Sequence, residues 1–277
     1  MTTNVEHWRA QIRQLPALAA HADAIAALVT ETIAIVPRPA KAADRKLGAS
    51  RLGGLPDAAP GFSWPRLASG ARPLAFVGQL ALGDVARVDP RGRLPAIGIV
   101  AFFVEWTEDG TWESAVYHCE APRHVAIPPD DLGRPGSVRG LDLATSVELP
   151  PYSSRFIATD DERGRPSRID PVTGEYGRLP APRIGLPLAA HEAYGEAYER
   201  WRESTGSGPR HGMFGFDRAM EGAQEPEDIV LLRLDHEAAL DVVVPFVEAS
   251  VLYFFISPAA LQRGELGAAR AVFGASL

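Results

Sequence analysis

Four short apolar runs constrain this chain most: "PLAFVGQLAL" (73–82), "AIGIVAFFVEW" (96–106), "EDIVLLRLD" (227–235) and "ASVLYFFIS" (249–257). Each is rich in β-branched and aromatic residues and bounded by turn formers, so each reads as a buried strand rather than a helix. "EDGTW" (108–112) supplies an Asp-Gly turn, after which "WESAVYHCE" returns as an antiparallel partner. Upstream, "TIAIVP" is a further β-branched run ended by Pro37. A mostly antiparallel sheet follows from these runs.

Helical spacing is confined to a few stretches. Residues 4–14 place Trp8, Ile12 and Leu15 on one face, and the Ala-rich 17–30 continues after Pro16, which suits a helix start. Residues 188–204 carry an aromatic stripe of Leu188, Tyr194, Tyr198 and Trp201, read as packed on the core. "PAALQRGEL" opens a short closing helix at Pro258. "GDVARVDPRGRLP" reads as a charged connection, and 121–190, rich in Pro, Gly and Arg, as loops and short edge strands. The expected architecture is α+β, with a helical segment over 1–30 and one domain over 31–277.

The order of motifs repeats. "RLGGLP" (51–56) is echoed by "GMFGFD" (212–217), offset by 215 − 54 = 161. "FVGQLAL" is echoed by "VLLRLDH", which sets Gln79 opposite Arg233 (233 − 79 = 154), and "IVAFFV" by "VLYFFI", which sets Phe102 opposite Phe254 (254 − 102 = 152). Three matches in one order at similar offsets predict two related turn–strand–strand halves, about 48–120 and 208–277, with the 188–204 helix between them.

Composition excludes several functions. With 28 basic against 35 acidic residues the net charge is −7, which disfavours nucleic acid and anionic membrane as partners. Only Lys41 and Lys46 are lysines; so Arg-heavy a chain, also rich in Ala, Gly and Pro, reads as the product of a GC-rich bacterial genome. Cys119 stands alone, so neither an intrachain disulfide nor a Cys-based metal site can form, and an inert core thiol is expected. The apolar runs are shorter than the ~20 residues a bilayer requires, and "MTTNVEHWRAQIRQL" lacks the pattern of a secretory signal. A cytoplasmic location is expected.

Catalytic signatures are absent. "HEAYG" and "HEAAL" begin like a zinc-protease helix, but Gly195 and Leu240 stand where the second His is needed. "GFSWP" departs from a nucleophile elbow at its last position, and neither a P-loop nor a Rossmann fingerprint occurs. The histidines are scattered: His7 and His21 in helices, His118 and His124 in strand-like runs, His211 at a turn. Carboxylate pairs such as Asp160–Asp161 and Glu225–Glu227–Asp228 sit in turn-rich, solvated contexts. No metal and no cofactor is expected.

The remaining candidate is "ASRLGGLPDAAPGFSWPR", Ala49–Arg66, with its partner loop at 210–217. Gly53 and Gly54 permit positive φ and an anion-binding nest of N–H groups. Arg51 and Arg66 flank the nest, and Trp64 offers a face for stacking. Gln79, His211 and Arg233 complete the ligand-binding candidates.

"SRLGGLP", "GFSWPR", "PLAFVGQLAL", "GIVAFFVE", "HGMFGF" followed by Gln224, "VLLRLD" and "VLYFFISPAAL" together resemble the YwqG-like family, a bacterial domain of unknown function. The resemblance spans about residues 30–270. It implies an α+β fold and a cytoplasmic place, but no reaction. Arg233 stands where the family has a second Gln, and "MFGFD" loosens the family's paired Gly, so if the second half carries a ligand in relatives, the resemblance implies that its chemistry is altered here.

These readings favour a non-enzymatic binding module that recognises a protein or small polar ligand through the 49–66 and 210–217 loops. An immunity-type role against a basic, toxin-like partner is one version, given the acidic charge. The alternative is a hydrolase or transferase whose acid/base groups, His211, Asp217, Glu105 and Gln79, come from separate loops. A purely structural interaction domain would instead expose a large apolar patch.

Overall fold

The computed structural model describes residues 5–107, 112–152, 154, 156–159, 166–169, 176–178, 184–205, 210–217, 227–235 and 250–275. Several sequence readings lie outside these residues: the Asp109–Gly110 turn, Asp160–Asp161, Gln224, Glu225 and "HEAAL" at 236–240.

Two short helices open the chain, α1 (Val5–Arg13) and α2 (Ala22–Leu28), separated by a 3₁₀ turn at Pro16–Leu18. The helical spacing over 17–30 is therefore broken in two. Leu18 and Ile25 are fully buried despite the break, because each piece lays its apolar side on one shared core. There follow β1 (Thr30–Pro39), β2 (Arg51–Leu52), β3 (Asp57–Ala58), β4 (Ala75–Ala81), α3 (Leu82–Val88), β5 (Ile99–Trp106), β6 (Trp112–Cys119), β7 (His124–Val125) and β8 (Arg139–Glu148). Short strands β9 (Ile157–Thr159), β10 (Pro166–Ile169), β11 (Tyr176–Arg178) and β12 (Ile184–Leu186) lead to α4 (Leu188–Ser204). The chain closes with β13 (His211–Met213), β14 (Ile229–Asp235), β15 (Ser250–Ile256), α5 (Pro258–Gln262) and β16 (Arg270–Ala275).

Ten strands form one antiparallel sheet in the order β16-β15-β14-β13-β1-β8-β2-β4-β5-β6. The sheet curls until its edges nearly meet. At that seam the Trp112 ring stacks on Phe273 with centroids 3.7 Å apart, and the Ala271 N–H donates to Ser114 Oγ at 2.7 Å. Side chains from both ends fill the interior, with Phe102 and Phe254 in edge contact at 4.9 Å. Outside the sheet, α1, α2 and α4 share a second core around Tyr194 and Trp201, whose ring N–H donates to the Val147 carbonyl. A third core lies under the 59–74 loop and a fourth surrounds Tyr253 and Phe255.

Two elements depart from the sequence reading. The connection after β4 contains α3, which needs only Leu82 and Val85, one turn apart, to bury a face. The loop-rich 121–190 segment contains β8, a central strand paired with β1 through ten residue pairs from Thr30–Glu148 to Pro39–Arg139. Its alternation of Leu141, Leu143 and Val147 with polar residues is real, but polar residues also occupy inward positions and mask it.

The outer halves of the sheet repeat one irregularity. Val77 bulges between Phe76, opposite Phe103, and Gly78, opposite Phe102. Leu231 bulges between Val230, opposite Phe255, and Leu232, opposite Phe254. The offsets are 231 − 77 = 154 and 254 − 102 = 152, those read from the sequence. A bulge bends its strand and raises its twist, which helps curl the sheet towards closure at both ends.

Candidate functional site

Two residues beyond each bulge stands a polar side chain on the sheet's outer face: Gln79 in β4 and Arg233 in β14. Both are almost fully buried, because the turn after the preceding short strand folds over them. Gln79 donates to the Ala49 carbonyl at 2.9 Å and to Asp57 Oδ2 at 2.7 Å, and its Oε1 accepts from the Asp57 N–H at 2.9 Å. Arg233 donates to the Arg210 carbonyl at 3.3 Å and to the Phe216 carbonyl at 2.7 Å. Ala49 and Arg210 are separated by the loop offset read from the sequence (210 − 49 = 161), and each side chain ties down a carbonyl just ahead of a short strand.

The charges are compensated differently. In the first half Arg51 grips Asp57 with its two terminal guanidinium nitrogens, at 2.8 and 3.1 Å, and also donates to the Leu55 carbonyl at 2.6 Å. Asp57 Oδ2 additionally accepts from the Gly48 N–H at 2.6 Å. In the second half Arg233 pairs with Glu148 at the end of β8, at 2.6 and 3.3 Å, and the Phe216 N–H reaches Glu148 Oε2 at 3.0 Å. Burial pulls the Arg233 pKa down, but the paired Glu148 more than offsets this and the net shift is upward. A buried ion with this many partners is a closed unit that fixes loop geometry.

The glycines are closed off in the same way. Gly53 and Gly54 have φ of 65° and 75°, and a Cβ on Gly53 would run into the Ser137 carbonyl. Their N–H groups donate to the Val77 and Gly136 carbonyls, both at 2.9 Å. The nest read from the sequence is thus spent on the protein's own backbone. At the loop offset from Gly53 (214 − 53 = 161) stands Phe214, with φ 62° despite its side chain. The Arg93 guanidinium covers its ring at 3.9 Å. Gly215 is required for a different reason, since a Cβ would enter the Glu148 carboxylate.

Trp64 donates from its ring nitrogen to the Leu74 carbonyl at 2.8 Å and packs edge-on against Phe103 at 5.8 Å, so it roofs the third core. His211 starts β13 and is buried; its Nδ1 accepts from the Asp235 N–H at 2.9 Å. Of the groups in the enzyme reading, Gln79 and Glu105 lie on strands apart from His211. Gln79 lies in the first clamp and Glu105 four residues beyond its neighbour Ala101 on β5. His211 stands on β13, separated from β4 by β1, β8 and β2, roughly 19 Å at ordinary strand spacing. The 49–66 loop lines cavities of about 320 Å³, through Gly54, and about 500 Å³, through Ala49 and Ser50, whereas the 210–217 loop lines a separate one of about 290 Å³. Among the described residues no three His, Cys, Asp or Glu side chains gather to hold a metal. No helix there is long and apolar enough to cross a membrane.

The 320 Å³ cavity differs from the closed clamps. Its floor is the start of β4 (Ala75, Phe76) with Glu105, and its wall is the 131–136 loop, resting on Gly54 through the Gly54–Gly136 hydrogen bond. Arg72 pairs with Glu105 at 3.6 Å and donates to the Trp106 carbonyl at 2.8 Å. Arg66 pairs with Asp131 and holds its carboxyl below the usual range. Arg134 lines the cleft, is exposed, and has no partner among the described residues. Of the residues singled out in the sequence, Gly54 and Glu105 line this cleft and Arg66 bonds to its wall. Arg72, Asp131 and Arg134 were missed; "DDLGRPG" offered only a turn signature, and nothing in it says which strand the turn lies against.

Residues 50–270 match the family model described as Domain of unknown function (DUF1963). No curated protein matches the chain. The matched segment begins after β1, although β1 lies in the middle of the sheet.

Proposed function

The chain belongs to the DUF1963 family, a domain of unknown function, and from that premise we propose that it is a non-enzymatic binding module for a small polar ligand. The ligand site is the cleft between the start of β4 and the 131–136 loop. One observation carries this reading: polar side chains on both halves of the sheet are folded into closed clamps, and the charges lining the 500 Å³ cavity pair with one another, whereas this cleft of 320 Å³ keeps Arg134 open to solvent with no ion-pair partner among the described residues. That volume is at the small end of ligand pockets and suits a metabolite-sized molecule. The 290 Å³ cavity at Gly215 occupies the equivalent place in the second half, and we take the matched bulges and clamps as the mark of an internal duplication.

Gly133 lines the cleft, is exposed, and has open space where a Cβ would stand, so Gly133→Trp adds bulk at the cleft without touching the interior core. A fragment library screened by amide chemical shifts should move Gly54, Ala75, Gly133 and Gly136 together. Every such hit should disappear in the Trp variant while its circular dichroism is unchanged. Hits that survive the substitution place the ligand elsewhere and overturn the reading.

A further inference from the structure

Three arginines and two carboxylates surround the cleft. Arg66 is matched by Asp131 and Arg72 by Glu105, which leaves the Arg134 charge uncompensated. The N–H groups of Gly133, Arg134 and Gly136, all in the lining loop, donate to no acceptor among the described residues. The cleft thus combines one net positive charge and a guanidinium with no partner among the described residues, and the loop that lines it carries three backbone donors with no acceptor among them. Carboxylates and phosphates are the groups that such donors match, bidentately and with charge assistance. Phe76, Pro73, Leu132 and Pro135 supply apolar walls around the same space.

Resting on the reading of this cleft as the binding site, we infer that its ligand is a small organic oxyanion, an apolar body bearing a carboxylate or phosphate held by Arg134. Glu105 and Asp131 do not repel it, because each is neutralised by its own arginine.

The test uses four one-ring probes of similar size: phenylacetate, phenyl phosphate, benzamide and benzylamine. Each is titrated into the full chain and followed at the Gly133, Arg134 and Gly136 amides. One or both anions should bind, weaken with added salt, and lose roughly 10- to 100-fold in affinity in Arg134→Gln, the loss expected for one charged hydrogen-bonding partner. The two anion arms show whether carboxylate or phosphate is the better fit. Arg87→Gln, an exposed arginine outside the cleft paired with Asp84, should change nothing. An equal loss in that control marks a general charge effect and overturns the inference. Binding of benzamide or benzylamine in preference to both anions overturns the oxyanion and leaves the binding module standing. If neither these probes nor a fragment library move the cleft amides, the binding-module reading fails with it.

Discussion

At the residue scale, this protein places buried charges where a turn must be held against a sheet. Asp57 has no exposed surface and four donors within 3.1 Å, so Asp57→Ala leaves the Arg51 guanidinium buried without its counter-ion. That change should cost about 3–5 kcal/mol in urea unfolding. Arg233→Gln installs the residue that β4 carries two positions beyond its own bulge, yet it should destabilise by a similar ~3–5 kcal/mol because Glu148 is stranded. Adding Glu148→Gln should recover part of that loss; a double-mutant cycle that comes out additive would rule out the coupling. Gly53→Ala forces a Cβ onto the Ser137 carbonyl at positive φ, and should cost about 2–4 kcal/mol. Phe214→Gly relieves ~1 kcal/mol of left-handed strain but gives up a buried ring worth about 3–5 kcal/mol, so it too should destabilise.

At the scale of elements, the sheet is held differently along its length. Ten ladder pairs join β1 to β8, whereas the β6–β16 seam relies on side chains such as Trp112, Phe273 and Ser114. Trp112→Ala should therefore speed amide exchange at Ala271 and its neighbours while leaving β1 and β8 protected. Equal acceleration in both places would mean that the seam is not a separate weak point. The corner after β1 is pinned by Arg38, which bonds Asp44 at 2.6 Å and Asp142 at 2.7 Å. The Arg38 hydrogen bond, helped by the Lys41 N–H, lowers the Asp44 pKa from 3.8 to about 2. A carboxylate depressed on folding stabilises the protein above its unfolded pKa and loses that contribution as pH falls through the folded one. The stability gap between the wild type and Asp44→Asn should thus be constant above about pH 5 and close between pH 4 and 2.

At the scale of the whole molecule, the helices at the start of the chain are part of the packed body. Val5, Ile12, Leu18 and Ile25 share one core with Phe156, Leu186, Tyr194 and Trp201. Removing residues 1–28 should uncover this surface, giving dye binding and aggregation; a monomeric, fully folded product would show that the remaining sheet is self-sufficient. The matched family segment, 50–270, likewise excludes β1, whose neighbours β8 and β13 would lose their common partner without it.

Much of this was determined by the sequence alone. The apolar runs set strands β4, β5, β14 and β15, because β-branched and aromatic residues in short bounded runs have few other stable forms. Offsets of 154 and 152 matched Gln79 with Arg233 and Phe102 with Phe254, and Gly53–Gly54 announced a left-handed turn; the bulge beside each pair came only from the structure. Only the tertiary structure decided what those residues do. Arg51, Gln79 and Arg233 were candidates for a ligand and prove to be bonded inward, because hydrogen-bond partners far apart in the chain come within reach only once the sheet has formed. Arg134 carried no signal for the same reason. An arginine in a loop becomes conspicuous when the charges that fold around it are counted and it is the one left over.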